Sequence, residues 1–250
     1  MCVIAVAIKS EIPLNILRAC QSSNPHGGGC SWIEGGLVRF QKDITASQMH
    51  QLLKDKPLPH VVHFRIATAG GVQPSRCHPF VIKTTKNDDL HGAAKSVLYH
   101  NGHCSGWEFY ASMAGVGYPP DASDSQVIAR IVAHRGEACL QEFVKRGAGK
   151  FAVMHSNGEV KLYGGFVELD GAMFSNTNWA HGLSCNPLHD KPKHGHGLGN
   201  TATQLGFKAK SHGGGHKKSD EPKEHKAYKP WWQEELDIAR RDGWSDVHND

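Results

Sequence analysis

No run of apolar residues in this 250-residue sequence approaches the roughly 20 residues that a helix needs to cross a bilayer. The opening segment, MCVIAVAIKSEIP, lacks the basic region and the cleavage site of a secretory signal peptide, so it predicts a first β-strand instead. A net charge of only +4 at pH 7 does not by itself indicate nucleic-acid binding. These absences predict a globular protein with no membrane span and no nucleic-acid partner.

The cysteines include no CxxC pair, which argues against a structural zinc site. Their number, seven, is odd and their positions are scattered, so a disulfide framework is not expected either. This pattern favours a reducing compartment, and we expect a cytoplasmic protein. The cysteines are Cys2, Cys20, Cys30, Cys77, Cys104, Cys139 and Cys185.

Short apolar runs rich in β-branched residues alternate with segments of helical periodicity before about residue 180. Helices are predicted over 13–21, from a cap at Thr45 or Ser47 onward, and over 123–146 with a break at Gly136. Strands are predicted over 2–8, 60–68, 77–84 and 94–101, and hairpin-like strand pairs over 30–43 and 149–166. Elements clustered in this way predict an α+β fold rather than a regular βαβ repeat.

The composition changes after residue 180. Residues 181–228 are rich in Gly, His and Lys, and they predict a flexible linker because they contain too few apolar groups to offset the entropy of ordering. The histidines of HGH (194–196) and HGGGH (212–216) could bind metal adventitiously, but the spacing defines no ligand geometry. Residues 229–250 begin KPWWQEELDIARR and predict a short amphipathic helix that docks on the core or binds a partner.

Cys2 is the first candidate for chemistry. Initiator methionine is commonly removed when the second residue is small, and removal would leave a thiol and an α-amine on one residue. Such an amine has a pKa of about 7.7–8.0, so it can take the thiol proton near neutral pH. Taken alone, however, Cys2 is more simply explained as a small apolar residue at the start of a buried strand.

Other positions have groups suited to an amino-acid substrate. Arg65 lies near the end of an apolar strand, where its planar guanidinium could bind a carboxylate or reach solvent at the strand edge. Asn101 and Gly102, in the tripeptide HNG, could form an oxyanion hole or an ordinary turn. Asp124 could hold an ammonium group or simply cap the helix that it opens.

These residues lie within a longer series of motifs in a fixed order. Met-Cys is followed by NPHGGG, HFRIAT, CHPF, LYHNG, SDSQVIARIV and GKFAVM. With these motifs the sequence resembles the class II glutamine amidotransferases, which belong to the N-terminal-nucleophile hydrolases. It is most similar to their stand-alone small members, over residues 2–180.

The resemblance implies a four-layer αββα fold and an amidotransferase domain spanning residues 1–180. It also implies a glutaminase that needs no cofactor. In that reaction Cys2 would attack the side-chain amide of glutamine and form a γ-glutamyl thioester.

Roles for the other candidate residues follow from the same resemblance. Arg65 would bind the α-carboxylate of the substrate, and Thr68 in the same loop would help to shape the pocket. Asn101 and Gly102 would stabilise the oxyanion, and Asp124 would bind the α-ammonium.

The sequence departs from the family pattern in three places. His26 stands in NPHGGG where relatives usually carry an acid, which could alter a hydrogen bond near the site. Ile66 follows the arginine where some relatives carry tryptophan or tyrosine. His103 and Cys104 replace an aliphatic pair, and we interpret Cys104 as a packed, inert thiol. These departures bear on the preferred substrate more than on the fold.

Three functions follow from this interpretation. The first is a glutaminase that supplies ammonia to a synthetase on a separate chain, engaged by the helix of 229–250, because residues 181–250 leave no room for an ATP-binding domain. The second is a stand-alone hydrolase of γ-glutamyl amides or peptides. The third is a catalytically retired module that serves in binding or structure.

Overall fold

The computed structural model describes residues 2–67 and 71–183, with side chains described up to Ala180. Within these ranges the chain forms eleven strands, five α-helices and two 3-10 helices, so the predicted α+β class is confirmed. Thr68, the predicted linker beyond residue 183 and the predicted helix of 229–250 lie outside the described residues. The proposed domain boundary at residue 180 therefore stays a prediction.

The strands follow one another closely along the chain. In chain order they are β1 (Val3–Ala7), β2 (Gly28–Glu34), β3 (Leu37–Lys42), β4 (His60–Phe64), β5 (Phe80–Val81), β6 (His91–Ala94), β7 (Ser96–Asn101), β8 (Lys150–His155), β9 (Val160–Tyr163), β10 (Val167–Leu169) and β11 (Ala172–Phe174). They form a seven-stranded sheet in the order β10-β11-β1-β4-β2-β3-β6 and a four-stranded sheet in the order β5-β7-β8-β9. All of the recorded strand pairs are antiparallel.

The helices occupy the connections between these strands. They are α1 (Leu14–Ser23), α2 (Ala46–Leu53), α3 (Trp107–Met113), α4 (Asp124–Arg135) and α5 (Cys139–Lys145), and the 3-10 helices are Pro74–Arg76 and Asn178–Leu183. The longest, α4, has 12 residues. Among the described residues, no helix combines the length and the apolar character needed to cross a membrane.

Apolar side chains collect in three clusters, and burial of this surface is the main force that holds the elements together. The first joins α1, α2 and the 3-10 helix at Asn178–Leu183 to the seven-stranded sheet, and it includes Ile16, Met49, Phe64 and Trp179. The second lies between the two sheets and includes Ile4, Val6, Val61, Tyr99 and Met154. The third joins the four-stranded sheet to α3, α4 and α5 and includes Leu98, Ile128, Leu140 and Phe151.

Several local predictions are confirmed in detail. Thr45 caps α2 through a reciprocal capping box with Gln48. The turn between β2 and β3 places Gly35 and Gly36 at φ values of +62° and +70°, where glycine is the natural residue for a two-residue hairpin loop. The predicted break at Gly136 separates α4 from α5, and its φ is +83°.

Other predictions need correction. The strand predicted over 60–68 ends at Phe64, so Arg65 lies just beyond the strand and not inside it. The strand predicted over 77–84 is only Phe80–Val81, because Cys77 follows a 3-10 helix and Pro79 has no N–H to donate to a ladder. Helix α3 and strands β6, β10 and β11 carried no sequence pattern that we recognised.

Candidate active site

A cavity of about 470 Å³ opens where the seven-stranded sheet, the four-stranded sheet and the start of α4 meet, a volume typical of small-molecule sites. Its lining includes Cys2, Arg65, Asn101, Gly102 and Asp124. The structure therefore brings together five of the six residues proposed from sequence. The sixth, Thr68, lies outside the described residues.

The strand register explains why Cys2 and Arg65 face the same space. Val3 of β1 pairs with Phe64 of the antiparallel neighbour β4, so the start of one strand lies beside the end of the other. Cys2 precedes the first strand and Arg65 follows the second. Residues 63 positions apart in sequence are thereby brought together at the same end of two adjacent central strands.

The thiol of Cys2 is held by the backbone of Ile66. The N–H of Ile66 donates to Sγ at 3.5 Å, and the thiol can donate to the carbonyl oxygen of Ile66 at 3.6 Å. Burial raises the pKa of the Cys2 thiol above its usual value, and the Ile66 N–H and the Arg65 guanidinium partly oppose that rise. The thiol therefore needs a base in order to act as a nucleophile at neutral pH.

Arg65 is buried, with a guanidinium only partly satisfied by the protein. Its Nη2 donates to the carbonyl oxygen of Gly71 at 3.1 Å. Its Nη1 is buried and has no hydrogen-bond partner within the described part of the chain. A buried charged donor without a partner is costly, so this nitrogen is a strong point of attraction for an anionic ligand.

His26, in the motif NPHGGG, supports the loop that follows Arg65. Its Nδ1 accepts a hydrogen bond of 2.8 Å from the N–H of Ala67. On the same segment, the N–H of His26 donates to the carbonyl oxygen of Arg65, and the N–H of Arg65 donates to that of Gly27. The imidazole thus provides a hydrogen-bond acceptor for the loop that follows Arg65.

Asn101 and Gly102 lie at the end of β7 in close contact with neighbouring backbone. The Nδ2 of Asn101 donates to Ser175 Oγ at 2.8 Å, and its Oδ1 is buried with no partner among the described residues. A Cβ atom at Gly102 would lie 2.1 Å from the carbonyl oxygen of Ala148, so only glycine fits at this approach. An amide and a backbone N–H at this edge of the cavity are the groups that an oxyanion hole requires.

Asp124 is the first residue of α4, and the predicted alternative role as helix cap belongs to Ser123 instead. One carboxylate oxygen of Asp124 accepts from the N–H of Ser125 at 2.7 Å, and the other accepts from the N–H of Cys104 at 3.0 Å. Ser125 Oγ also donates to the first oxygen at 3.2 Å, and His103 Nδ1 lies 3.6 Å from the second. A carboxylate has about four acceptor sites, so Asp124, which lines the cavity, keeps capacity for a further donor. The carboxylate is therefore fixed in orientation and still able to accept from an ammonium group.

Cys104 is 2% exposed and packs within the cluster beneath α3 and α4. Burial raises the pKa of its thiol to about 12. A buried thiol with so high a pKa is a poor nucleophile, which agrees with our interpretation of Cys104 as inert.

Three buried histidines lie at the cavity: His78 and His100 line it, and His63 packs against His78. The rings of His63 and His78 are 4.0 Å apart, and neither ring nitrogen of His78 has a partner in the described residues. His100 bridges Ser125 Oγ at 2.9 Å and the carbonyl oxygen of Ala148 at 2.7 Å. Burial lowers the pKa of His63 to about 3 and also lowers the pKa values of His78 and His100, so all three rings are neutral at pH 7. Among the described residues, no group of three or more His, Cys, Asp or Glu side chains is arranged to hold a metal ion.

Arg76 also lines the cavity, and sequence reasoning did not identify it. It ends the 3-10 helix Pro74–Arg76 and is 7% exposed. Its Nη2 donates to the carbonyl oxygen of Asp121 at 2.7 Å, and the Asp121 carboxylate lies 3.7 Å away. Nothing in the sequence around Arg76 indicates a binding role, because the 3-10 helix that precedes CHPF determines where its side chain points.

No family model matches the chain, and no curated protein matches it either. Among solved structures, it is similar to the glutamine phosphoribosylpyrophosphate amidotransferase from B. subtilis complexed with ADP and GMP, with a TM-score of 0.46 and 16% identity over 74% of this chain. It is also similar to an allosteric regulatory enzyme of purine biosynthesis, with a TM-score of 0.45 and 16% identity over 74% of this chain. The matches span 44% and 43% of those chains, which is less than half of their length. What the cavity can bind therefore has to be argued from its own residues.

Proposed function

We propose that this chain hydrolyses the side-chain amide of glutamine, with Cys2 as the nucleophile once Met1 has been removed. The observation that carries the proposal is a single cavity lined by a thiol, a guanidinium with an unpartnered nitrogen and an oriented carboxylate. Glutamine carries an α-carboxylate for Arg65 and an α-ammonium for Asp124. Two opposite charges held at separate points orient the amino acid, so that its side chain can reach Cys2.

In the proposed reaction, the free α-amine of Cys2 takes the proton from its thiol. The thiolate attacks the amide carbon of glutamine, and the oxyanion that forms accepts hydrogen bonds from Asn101 Nδ2 and from the N–H of Gly102. The carbon–nitrogen bond then breaks, and the α-ammonium returns its proton to the leaving nitrogen, which departs as ammonia. Water hydrolyses the γ-glutamyl thioester and releases glutamate.

The proposal also includes a layer arrangement and a partner protein. The three apolar clusters support a four-layer αββα arrangement, in which helices cover the outer face of each sheet. We further propose that the ammonia is used by a synthetase on a separate chain, engaged through residues 229–250. Glutaminase activity that rises when a partner is added, and no longer rises after deletion of 229–250, would support that assignment.

A second candidate is a hydrolase of γ-glutamyl amides or peptides that acts without a synthetase. Arg76 favours it, because a second buried guanidinium on the same cavity could attract a leaving group that carries a carboxylate. The two candidates share the nucleophile and differ in the leaving group. The ratio of kcat/KM for glutamine to that for γ-glutamyl peptides distinguishes them.

The decisive experiment combines activity with a covalent label. Purified protein is assayed for glutamate and ammonia from glutamine and is then treated with diazo-oxo-norleucine, an electrophilic glutamine analogue. We expect an intact mass without Met1 and one adduct on Cys2, absent from Cys2→Ala and present in Cys139→Ala, which removes a buried thiol of α5. Active protein that retains Met1 would overturn the mechanism. Processed protein with neither adduct nor activity would instead favour a retired binding module.

A further inference from the structure

The proposed nucleophile and oxyanion donor belong to different sheets. Cys2 precedes β1 in the seven-stranded sheet, whereas Asn101 ends β7 in the four-stranded sheet. The two sheets meet through an apolar cluster whose contacts are not directional. Catalytic groups need placement to within about 0.5 Å, which such contacts do not secure on their own. A directional connection between the sheets is therefore required near the cavity.

Ser175, which directly follows β11, provides such a connection. It is completely buried, and its Oγ accepts hydrogen bonds from the N–H of Ile4 at 2.9 Å and from Asn101 Nδ2 at 2.8 Å. Its own N–H donates to the carbonyl oxygen of Ile4 at 2.9 Å. Ile4 is two residues after Cys2 and belongs to the same sheet. One hydroxyl thus links the strand of the nucleophile to the side chain of the oxyanion donor.

The hydroxyl holds the Asn101 side chain in either orientation of the amide. It accepts from Nδ2 as the side chain stands, and it could donate to Oδ1 if the amide were turned over. A second bond strengthens the connection between the sheets, because Lys150 Nζ of β8 donates to the carbonyl oxygen of Ser175 at 2.5 Å. The constraint on Asn101 therefore does not depend on which way its amide is assigned.

The next residue fixes Cys2 itself. Asn176 Nδ2 donates to the carbonyl oxygen of Cys2 at 2.7 Å. Asn176 is in turn held by Trp179, whose indole N–H donates to its carbonyl oxygen at 2.9 Å and whose side chain is 1% exposed. The segment Ser175–Asn176 thus forms hydrogen bonds to Asn101 and to Cys2, the two groups that the proposed reaction uses.

We propose that Ser175 is a positioning residue that sets the distance between the Cys2 thiol and the Asn101 amide. The inference rests on the proposed function, in which these two groups act on one substrate carbonyl. Within the described residues, Ser175 makes no hydrogen bond to Arg65 or to Asp124. Its loss should therefore weaken catalysis and not the binding of glutamine.

The test compares two buried serines that each link the sheets. Ser31 of β2 is also fully buried and accepts a hydrogen bond of 2.7 Å from Tyr99 of β7. Tyr99 does not line the cavity, whereas Asn101, the partner of Ser175, does. We expect Ser175→Ala to lower kcat for glutamine by about 10- to 100-fold with KM within about twofold of the parent value. Ser31→Ala should lower Tm by about as much as Ser175→Ala does, and it should leave kcat unchanged. Equal effects of the two variants on kcat, or a kcat unchanged in Ser175→Ala, would overturn the proposal.

A conservative variant and a small reagent separate positioning from general damage. Ser175→Thr keeps the hydroxyl and should recover most of the lost kcat, provided that its circular dichroism matches the parent. Iodoacetamide needs no oxyanion hole, so its rate of reaction with Cys2 should be the same in Ser175→Ala as in the parent. A matching fall in both the alkylation rate and kcat would mean that the thiol itself had been disturbed, and the positioning role of Ser175 would be rejected.

A readout independent of activity keeps this inference distinct from the proposed function. In nitrogen-15 spectra, the side-chain amide of Asn101 should shift and exchange faster with water in Ser175→Ala, and it should stay unchanged in Ser31→Ala. If the parent protein neither hydrolyses glutamine nor takes the label, the proposed function fails, while the spectra still decide whether Ser175 holds Asn101. An Asn101 signal that Ser175→Ala leaves in place would refute the inference even in an active enzyme.

Discussion

The backbone nitrogen of Ile66 lies 3.5 Å from the Sγ atom of Cys2 and donates a hydrogen bond to it. This bond favours negative charge on sulfur, yet burial dominates and keeps the pKa of the thiol above its ordinary value. The protein therefore stabilises the thiolate only in part. A base close to Cys2 has to supply the rest, and a free α-amine on Cys2 is the one that our proposal names.

The first prediction concerns that amine. Inserting one lysine between Met1 and Cys2 should leave the thiol in the chain but block its amine in a peptide bond. Because general bases typically contribute about 10²- to 10⁴-fold, we expect kcat/KM for glutamine to fall by at least about 100-fold. The measurement is ammonia release, with the N-terminus of each protein established by intact mass.

The processed protein also has a defined pH profile under this mechanism. Its kcat/KM should fall as pH drops below the amine pKa of about 7.7–8.0, because a protonated amine cannot take the thiol proton. Cys139→Ala serves as the control, since it removes a thiol buried in α5 and should reproduce the parent profile. An insertion variant with full activity would show that the α-amine is not the base.

The second prediction concerns Arg65. Arg65→Lys keeps a positive charge but loses the planar pair of guanidinium nitrogens. One of them, Nη1, has no partner among the described residues and marks the expected carboxylate site. A hydrogen bond to a charged group is worth about 1.5–3 kcal/mol, which corresponds to a rise in KM for glutamine of about 10- to 150-fold. Steady-state kinetics measure it, and kcat should change much less than KM.

The matched control for Arg65 is Arg39→Lys, which changes an exposed arginine of β3 that does not line the cavity. It should leave both kinetic constants unchanged. A loss confined to kcat in Arg65→Lys would instead mean that the residue acts on the reacting amide and does not anchor the α-carboxylate.

The contrast between Arg65 and Arg76 shows how far sequence could reach. The sequence indicates Arg65 because a charge near the end of an apolar strand is costly to bury unless it is paired, and because a recognisable motif surrounds it. Arg76 lines the same cavity, but nothing in its neighbours indicated the 3-10 turn that directs it there. The hairpins and the helix break, in contrast, could be predicted from local patterns, because turn glycines and helix caps act over only a few residues.

Ser175 is a clearer case of what the sequence could not reveal. It lies 171 residues from Ile4 and 74 from Asn101, and it acquires its role only when β11 pairs with β1. Strands β10 and β11 have three residues each, too few for alternation of apolar and polar residues to be recognised. Contacts between sheets depend on the complete topology, whereas Cys2 and Asn101 could be proposed from short motifs alone.

The third prediction tests Asp124 as the group that binds the α-ammonium. Asp124→Asn keeps one acceptor oxygen for either the Ser125 or the Cys104 N–H, loses the acceptor of the other, and removes the negative charge at the cavity. We expect KM for glutamine to rise by about 10-fold or more, because a charged hydrogen bond is lost. Substrate analogues without the α-amine should show little difference between parent and variant.

Loss of helix stability is the alternative explanation for such an effect, and Thr45→Ala controls for it. Thr45 caps α2 with the same kind of reciprocal capping box that Ser123 forms at α4, but Thr45 does not line the cavity. Its removal should cost about 1 kcal/mol of unfolding free energy without changing KM. Should Asp124→Asn alter stability alone, its role would be that of a helix-terminal charge.

The last prediction concerns the buried histidines and the stability of the protein at low pH. A histidine that is neutral when folded but titrates near pH 6.5 when unfolded makes the unfolded state bind more protons, so stability is retained above that pH and falls below it. Burial holds the pKa of His63 at about 3 and that of His78 well below its usual value. Each such residue should therefore contribute a slope of about 1.4 kcal/mol per pH unit below pH 6.5.

His78→Phe is the sharpest test, because neither ring nitrogen of His78 has a partner in the described residues and no hydrogen bond is lost. Urea unfolding gives the unfolding free energy at pH 8 and at pH 5. We expect the loss of unfolding free energy between these two pH values to be smaller in His78→Phe than in the parent, by up to about 2 kcal/mol. Val153→Ala truncates a fully buried apolar side chain of β8 and removes no titratable group, so it should lower stability equally at both pH values. An unchanged pH dependence in His78→Phe would mean that His78 takes up a proton in the folded protein, contrary to the effect of its burial.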